Sequence, residues 1–464
     1  MADRLDLAVI GSGPGGYIAA IRAAQLGMRV ALVEREPTLG GVCLNWGCIP
    51  TKALIKNAEM VRFLTTKADD FGISFSDPSF GWERAVARSR QVVKRMTRGV
   101  SGLMKKNGVD VVTGHARFQD ANTLRVEGEG ARTVEAEHVI VASGSRARLL
   151  PGMASDGERV LTSRHAVVLP HVPRRMLIMG AGAVGMEFAF VLAAYGAEVT
   201  VVEMLDRVLP LEDEEAGELV QRRFEKSGIQ LHLGTRVEDV RVGDEAVRLT
   251  VSRDGVEATL EGDQVLVAVG RVPNTEELAL DAAGVETERG FIKVDRELRT
   301  NVSHVYAIGD VVGPPMLAHK ASHEAVQAVE HIAGLPTHPI DSTFIPSCTY
   351  CQPQVASIGL TEAQAREAGH DVRVGRFPFL GIGKAVAVAD HDGWVKIVSD
   401  ARYGEILGAT IVGPEATELI HELVLARTAE LTVDELIATV HAHPTLAEAV
   451  HEAALGVLGR PLNI

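Results

Sequence analysis

The sequence has few of the residues and patterns that mark several large classes of protein. Only four of its 464 residues are cysteine, which excludes the disulfide-rich scaffolds of small secreted domains. No uncharged apolar run reaches the roughly 18 residues that a membrane-spanning helix needs. Basic residues are outnumbered by acidic ones, 47 to 61, and the net charge of −14 argues against nucleic acid or an anionic membrane as the main partner.

The start of the chain lacks a recognisable targeting signal. Leu5 already opens an apolar run, and the residues before it have neither signal-peptide nor transit-peptide character. We therefore expect a cytoplasmic protein, in which a persistent disulfide is unusual unless it is catalytic. Hydrophobic residues make up 46% of the chain and charged residues 23%, as in globular proteins, and the length suffices for three or four domains.

A dinucleotide-binding pattern occupies the first 34 residues. The apolar run Leu5 to Ile10 leads into the sequence GSGPGG, a helical pattern, and a second apolar run that ends in Glu34. Glycines allow a tight turn and a close approach of a pyrophosphate to the helix N-terminus, and the acid accepts a hydrogen bond from a ribose hydroxyl. The predicted fingerprint glycines are Gly11, Gly13 and Gly16.

The same pattern recurs in the middle of the chain. A strand from Met176 to Met179 precedes GAGAVG, a helix and a second strand that ends in Glu203. The acid follows the first glycine by 23 residues in both copies, so we predict two bound dinucleotides. Glu203 favours NAD over NADP because a carboxylate repels a 2′-phosphate, although Arg207 tempers this slightly. The glycines of this copy are Gly180, Gly182 and Gly185.

Three further apolar strands end in glycine or aspartate. Two of them, each predicted to close one nucleotide-binding unit, end in Gly144 and Gly270. A third ends in Asp310, whose carboxylate is placed to bond a sugar or ribityl hydroxyl, with a turn or helix-cap role as the alternative. A helix opens near Ala318 and His319, and from about residue 343 the glycine fingerprints disappear.

Two cysteines five residues apart follow the first glycine turn. On an ideal helix, Cys43 and Cys48 would have Cα atoms roughly 8–9 Å apart, whereas a disulfide wants about 5.5–6 Å. A distorted first turn would bring them together, and Gly47 gives the backbone freedom for that. On local sequence alone, two buried apolar cysteines in a glycine-rich loop explain the pattern equally well.

The C-terminal run HAHPTLAE contains a second group of reactive side chains. Because Pro444 favours a helix's first turn, His443 is predicted to project from a helix start, with Glu448 one or two turns on. A carboxylate on one ring nitrogen leaves the other free to take a proton; two solvated histidines are the alternative. Cys348 and Cys351 have CxxC spacing, but we favour two packed thiols over a zinc or redox site and predict no metal.

Together these motifs resemble those of the class I pyridine nucleotide–disulfide oxidoreductases, in the family's order and over nearly the whole chain. The matching stretches are GSGPGG, GGVCLNWGCIPTK, GAGAVGMEFA, VAVGRVPNT, residues 300–310, LAHKA and HAHPTLAEA. The resemblance implies an α/β protein with two Rossmann-like domains and a C-terminal α+β dimerisation domain. It implies a homodimer whose active sites use both subunits, and domains at 1–147 (FAD), 148–271 (NAD), 272–342 (central) and 343–464 (interface).

The resemblance also implies roles for individual residues. Cys43 and Cys48 would form a redox-active disulfide, with Cys43 as the outer sulfur and Cys48 beside the flavin. His443 would be the base and Glu448 its orienting partner, while His441 and His451 receive no role. The remaining implied contacts are Lys52 near the flavin ring and paired with Glu187, and the start of the helix at Ala318 and His319 directed at the flavin.

The implied reaction is oxidation of dihydrolipoamide by NAD⁺, on lipoyl groups of 2-oxo acid dehydrogenase or glycine cleavage complexes. Glutathione reductase is the main competitor, but it prefers NADPH through arginines that are absent beside Glu203. Mercuric reductase carries a C-terminal cysteine pair, which residues 459–464 lack. A tethering subunit without catalysis and an NADH oxidase or diaphorase without a disulfide cycle are further alternatives.

Overall fold

The computed structural model describes residues 4–463, which form two compact units built from separate segments of the chain. The first unit holds the chain up to residue 54, residues 83–148 and residues 270–340; the second holds residues 55–82, 149–269 and the chain from 341 onward. No helix within residues 4–463 is both long and apolar enough to cross a bilayer. The predicted α/β class is confirmed, whereas the division into four domains stays a prediction.

The N-terminal segment folds into a largely parallel sheet in the strand order β3-β2-β1-β6-β5-β4. Strands β1, β2, β3 and the end of β6 pair in parallel, and β4, β5 and β6 pair antiparallel. Its elements are β1 (Leu5–Ile10), α1 (Pro14–Gln25), β2 (Val30–Glu34), α2 (Gly41–Asn45), α3 (Cys48–Thr66), α4 (Trp82–Lys106), β3 (Asp110–Thr113), β4 (His115–Asp120), β5 (Thr123–Glu127), β6 (Arg132–Val141) and β7 (Ser145–Ala147).

The next segment repeats the parallel arrangement in the second unit, in the strand order β11-β10-β9-β15-β8, and adds the antiparallel sheet β12-β13-β14. The elements are β8 (Val160–Leu161), α5 (Ser163–Ala166), β9 (Arg175–Met179), α6 (Ala183–Ala194), β10 (Glu198–Val202), α7 (Glu214–Lys226), β11 (Gln230–His232), β12 (Arg236–Val242), β13 (Val247–Arg253), β14 (Val256–Gly262) and β15 (Gln264–Val267). As the sequence predicts, β6 and β15 pair with the strands that precede the two glycine turns.

Residues 270–340 return to the first unit and complete its sheet. Strand β19 pairs in parallel with β6, and β16 pairs antiparallel with β7. The elements are β16 (Arg271–Pro273), β17 (Thr287–Glu288), β18 (Phe291–Ile292), β19 (Val305–Ala307) and α8 (Ala318–Ile332).

The C-terminal segment contains an antiparallel sheet in the order β20-β21-β24-β23-β22. Apolar residues of α11 and α13 pack with those of the sheet in one buried core. The elements are β20 (Ser347–Thr349), β21 (Gln354–Gly359), α9 (Glu362–Glu367), β22 (Val372–Pro378), α10 (Gly383–Ala387), β23 (Trp394–Asp400), β24 (Ile406–Gly413), α11 (Ala416–Thr428), α12 (Val433–Ala438) and α13 (Glu448–Val457).

A buried cation stabilises the second unit. The Lys396 side chain is 3% exposed, and its Nζ lies 2.9 Å from Asp213 and 2.8 Å from Glu215. We expect Lys396→Met to lower the free energy of unfolding by about 3–5 kcal/mol, because it leaves a buried carboxylate without its cation. Urea denaturation measures the change; Arg222→Met, which breaks an exposed pair on α7, should cost less than about 1 kcal/mol. Equal losses in the two variants would contradict the prediction.

Candidate active site

The first glycine turn joins β1 to α1 and leaves space in front of the helix. A Cβ added to Gly11 would lie 2.4 Å from the carbonyl oxygen of Ala142, and one added to Gly16 would lie 1.7 Å from that of Gly11. Both positions therefore require glycine. Gly13 is the N-cap of α1, has no neighbour within 4 Å of an added Cβ, and provides no side-chain cap. The unpaired N–H groups of a helix start and the space before them fit a pyrophosphate.

The second glycine turn has the same geometry between β9 and α6. An added Cβ would lie 2.5 Å from the carbonyl oxygen of Ala268 at Gly180, and 1.9 Å from that of Gly180 at Gly185. Gly182 caps α6 without a side chain and again faces open space. The chain thus has two matched sites for a phosphate group, one in each compact unit.

The two predicted ribose acids each make two main-chain contacts that the sequence did not reveal. Each carboxylate accepts an N–H from the residue after the first fingerprint glycine and another from two residues beyond itself. The donors are Ser12 (2.8 Å) and Glu36 (2.9 Å) for Glu34, and Ala181 (2.7 Å) and Leu205 (2.9 Å) for Glu203. Each acid therefore ties its glycine turn to the end of the neighbouring strand, and its remaining lone pairs stay available to a hydroxyl.

Arg207, beside the second acid, is occupied by its own loop. Its Nη2 donates to the carbonyl oxygen of Pro210 at 2.8 Å. Met204, the residue next to Glu203, is 60% exposed and carries no charge. Neither Met204 nor Arg207 therefore presents a free cation to a 2′-phosphate beside Glu203.

The two cysteines lie on either side of a break between two helices. Helix α2 ends at Asn45 and α3 begins at Cys48. A Cβ at Gly47 would lie 2.9 Å from the carbonyl oxygen of Val42, so the chain folds back on itself at this point. Gly47 is needed for that close approach, although its φ is not positive. The break lets the Cys43 thiol hydrogen-bond with Cys48.

The two thiols of the cysteine pair influence each other's protonation. The hydrogen bond with Cys48, and then burial, raise the pKa of Cys43 well above its ordinary value, while Lys52 opposes the change. Cys48 is the first residue of α3, whose first turn has no acidic side chain. A helix N-terminus favours a thiolate. A thiolate at Cys48 would therefore be stabilised by the start of α3.

Asp310 lies in a short 3₁₀ turn and contacts Arg271, to which the sequence assigned no role. The Ser145 hydroxyl donates to the Asp310 carboxylate. Arg271 Nη2 donates to the Ser145 carbonyl oxygen at 2.7 Å, and Arg271 Nε lies 3.8 Å from the Asp310 carboxylate. Burial lowers the pKa of Arg271, against the attraction of Asp310 and Cys48. A detectable signal existed, because Ser145 and Arg271 directly follow the two glycines, Gly144 and Gly270, that end the closing strands.

Helix α8 begins at Ala318, as predicted, with His319 in its first turn. Its N-cap, Leu317, provides no side-chain cap, and the first turn has no acid, so the positive helix end is not neutralised locally. Lys320, in the same first turn, forms a buried ion pair at 2.7 Å with Glu324, which lies one turn further along the helix. Burial raises the pKa of Glu324 despite Lys320 and the N–H that Gly309 donates to it. The pair anchors α8 to the turn that carries Asp310.

His443 and Glu448 are hydrogen-bonded, but the helix begins later than predicted. His443 Nδ1 lies 2.9 Å from Glu448 Oε1, and α13 starts at Glu448 rather than at Pro444. The reason is that Thr445 N–H donates to the other Glu448 oxygen, which forms a separate turn before the helix. Partial burial raises the pKa of Glu448, but the hydrogen bonds from His443 and Thr445 outweigh it, so the pKa lies below its usual value.

His441 is held differently from His443. Its Nε2 lies 2.7 Å from Glu422 and its Nδ1 lies 3.0 Å from the carbonyl oxygen of Thr439, so both ring nitrogens are in use. The His443 side chain is 77% exposed, and its Nε2 has no partner among residues 4–463. Of the two histidines, only His443 combines a carboxylate on one nitrogen with an accessible second nitrogen, which is the arrangement of a general base.

Glu187 and the second cysteine pair, Cys348 and Cys351, lie in the second compact unit. Glu187 is buried on α6 and accepts the N–H of Tyr350 at 3.1 Å; its expected pairing with Lys52 stays a prediction. Cys351 is fully buried with its thiol 3.5 Å from the carbonyl oxygen of Pro353, and Cys348 packs against the apolar core. Within the described part of the chain, no cluster of three or more His, Cys, Asp or Glu side chains is placed to hold a metal.

Comparisons with known proteins agree with this geometry. The model of the family described as pyridine nucleotide-disulphide oxidoreductase matches residues 5–325, and the model of its dimerisation domain matches residues 345–454. Dihydrolipoyl dehydrogenases of Zymomonas mobilis and Rhizobium etli are 46% and 45% identical, over 100% of both chains in each case. The crystal structure of LpdA from Mycobacterium tuberculosis is similar with a TM-score of 0.90 and 29% identity, over 97% of this chain and 99% of that one. The chain belongs to the pyridine nucleotide-disulphide oxidoreductase family.

Proposed function

We propose that this protein oxidises dihydrolipoamide with NAD⁺, using FAD and a redox-active disulfide between Cys43 and Cys48. One observation carries the proposal: the two sulfurs meet at a helix break, with Cys48 at the N-terminus of α3. Relatives at 45–46% identity over the full length carry the name dihydrolipoyl dehydrogenase. This activity accounts for the cysteine pair, the two dinucleotide sites and the histidine–carboxylate pair together.

Two dinucleotides fit the two glycine turns, because both have an uncapped helix start with open space before it. Gly11, Gly13 and Gly16, with Glu34, would hold FAD; Asp310, Lys52, Gly144 and the start of α8 would complete that site. Gly180, Gly182 and Gly185, with Glu203, would hold NAD, and Glu187 and Gly270 would border it. The chemistry that a bound flavin supplies is two-electron transfer between sulfur and nicotinamide.

The residues of the chain handle the protons and the sulfur exchange. His443 of the partner subunit takes a proton from one thiol of the dithiol, and Glu448 orients its ring. The substrate thiolate attacks the Cys43 sulfur, the Cys43–Cys48 bond breaks, and Cys48 leaves as a thiolate stabilised by the helix N-terminus. The second substrate thiol, once deprotonated, attacks the first substrate sulfur and releases Cys43, which takes up a proton. The substrate has then lost two electrons and two protons, and it leaves as a cyclic disulfide.

The partners follow from the same mechanism. The family's dimerisation domain at residues 345–454 supports a homodimer, and we place each active site between Cys43 of one subunit and the partner's His443. The dithiol would arrive on lipoyl domains of multienzyme complexes in the cytoplasm. Neither nucleic acid nor a membrane is needed as a partner.

A substrate panel tests the proposal. The holoenzyme would be assayed with dihydrolipoamide, glutathione disulfide and mercuric ion, each with both nicotinamide coenzymes. We expect kcat/KM for the dihydrolipoamide–NAD pair to exceed every other combination by at least about 100-fold, a difference of about 2.7 kcal/mol in transition-state binding. Preference for glutathione disulfide with NADPH would replace the proposal with its main competitor. NADH oxidation without any thiol-dependent activity would assign the chain to the diaphorase class.

Coenzyme choice should depend on Glu203. Glu203→Arg is expected to lower kcat/KM for NAD⁺ by about 10- to 100-fold, because it removes a charge-assisted hydrogen bond worth about 1.5–3 kcal/mol. Stopped-flow reduction by dihydrolipoamide, which does not involve NAD⁺, should be unchanged. Glu198→Arg, an exposed change on the same strand, is the control. Unaltered NAD⁺ kinetics in Glu203→Arg would exclude this residue from coenzyme binding.

A further inference from the structure

Three successive residues of α4 hydrogen-bond the main chain around the cysteine pair. Arg88, Ser89 and Arg90 each donate from a side chain to a different backbone carbonyl. The bonds are Arg88 Nη1 to Ala53 (3.2 Å), Ser89 Oγ to Pro50 (3.1 Å) and Arg90 Nη1 to Asn45 (2.8 Å). The three acceptors lie before and after the break that separates Cys43 from Cys48. We call these three residues the carbonyl clamp.

The contact to Asn45 bears most directly on the break. Asn45 is the last residue of α2, so its carbonyl has no donor further along that helix. Arg90 supplies the donor that a continuous helix would have provided. The Asn45 side chain is bonded as well, through its amide to Leu39 (3.1 Å) and Gly41 (2.9 Å). Asn45 is thus held through main chain and side chain, midway between the two cysteines.

The clamp is only partly removed from solvent, because Arg88 is exposed and Arg90 is half-buried. Ser89 is fully buried, and two of the three guanidinium nitrogens of Arg90, Nε and Nη2, are buried with no hydrogen-bond partner among residues 4–463. Burial lowers the pKa of Arg90. Charged side chains are rarely buried unless they are paired. The hydrogen bond to the Asn45 carbonyl offsets part of the free-energy cost of burying the Arg90 guanidinium.

We propose that Arg88, Ser89 and Arg90 are positioning residues that keep the helix broken between Asn45 and Cys48 and thereby set the reduction potential of the cysteine pair. A disulfide needs the short Cα separation that a regular helix does not provide. In this structure both cysteines are free thiols and the backbone is already broken. The clamp stabilises this broken backbone, on which alone the disulfide can form, whereas two free thiols are also compatible with a regular helix. It therefore favours the oxidised form. This inference rests on the redox role proposed above for Cys43 and Cys48.

The test measures the disulfide–dithiol equilibrium of the holoenzyme. Wild type, Arg90→Met and Ser89→Ala would be equilibrated with mixtures of reduced and oxidised dithiothreitol, quenched in acid, alkylated and analysed by mass spectrometry at Cys43 and Cys48. We expect each variant to shift the equilibrium about tenfold toward the dithiol, since one hydrogen bond to the broken segment is lost. For a two-electron couple this is about 30 mV toward a more positive potential. Arg90→Lys, which keeps a donor, should recover part of the shift.

Arg95→Met is the matched control, because Arg95 is exposed on the same helix. The flavin content of every variant would be recorded, and Ser89→Ala keeps the test decisive if Arg90→Met does not fold. If Arg90→Met and Ser89→Ala had the same disulfide–dithiol equilibrium as Arg95→Met, the positioning role would be wrong. A shift toward the disulfide would also overturn it, because it would show that the positive charge of Arg90 stabilises a cysteine thiolate. Absence of a Cys43–Cys48 disulfide in oxidised wild type would instead overturn the proposed function.

Discussion

Serine in place of Cys48 is expected to reduce oxidation of dihydrolipoamide to the assay background. A hydroxyl cannot form the bond to Cys43 that the substrate thiolate must break, so the dithiol half-reaction has no electron acceptor. The FAD site should survive, because the glycine turn, Glu34 and Asp310 are unchanged. Steady-state turnover with dihydrolipoamide, flavin content, and NADH-dependent reduction of ferricyanide measure these three expectations in one preparation.

Cys43→Ser should be equally inactive with dihydrolipoamide, but the two variants should differ spectroscopically. Cys43→Ser keeps the sulfur at the start of α3, where the helix favours a thiolate, so a long-wavelength charge-transfer band is expected. Cys48→Ser should lack that band. Cys348→Ser, which removes a thiol packed against the C-terminal core, is the control and should retain activity. Turnover in either Cys43→Ser or Cys48→Ser at the level of this control would contradict the disulfide mechanism.

The parts of the fold that follow from local rules were predictable from the sequence. At Gly11, Gly16, Gly180 and Gly185 an added Cβ would lie 2.5 Å or less from a carbonyl oxygen, so no other residue fits. The sequences GSGPGG and GAGAVG therefore predict both nucleotide turns. The strands that close each unit were recognisable because strands buried on both faces read as continuous apolar runs. The cysteine pair was visible from its spacing, as was the need to distort a helix between the two sulfurs.

The remainder depends on contacts between residues far apart in sequence. Arg271 meets Ser145 across 126 positions, and Arg90 meets Asn45 across 45, so neither contact has a local signature. The start of α13 was misplaced for a different reason. Pro444 suits a first helical turn, but Thr445 and Glu448 bond each other and delay the helix by four residues. Local propensity is a weak prior that specific hydrogen bonds override.

Replacing His443 by glutamine should separate the two halves of the reaction. Reduction of the protein by dihydrolipoamide is expected to slow by about 10²- to 10⁴-fold, the range usual for loss of a positioned general base. Reduction by NADH should be unchanged, because no proton passes through His443 on that side. Stopped-flow spectroscopy with each reductant resolves the two rates. His421→Gln, at an exposed histidine of α11 bonded only through Nδ1 to a main-chain carbonyl, is the control.

Glu448 should contribute less than His443, and its carboxylate should stay ionised throughout the neutral pH range. Glu448→Gln keeps a hydrogen-bond acceptor for the ring but removes the charge that stabilises the protonated imidazole, so the expected loss is smaller. Because the pKa of Glu448 lies below its ordinary 4.5, the carboxylate stays ionised as pH falls to about 5 and protonates only below that. Any loss of activity between pH 8 and about 5 must therefore come from a group other than Glu448. At pH 8, the rate of reduction by dihydrolipoamide in Glu448→Gln should lie between the rates of wild type and His443→Gln, and a loss as large as that of His443→Gln would contradict the orienting role.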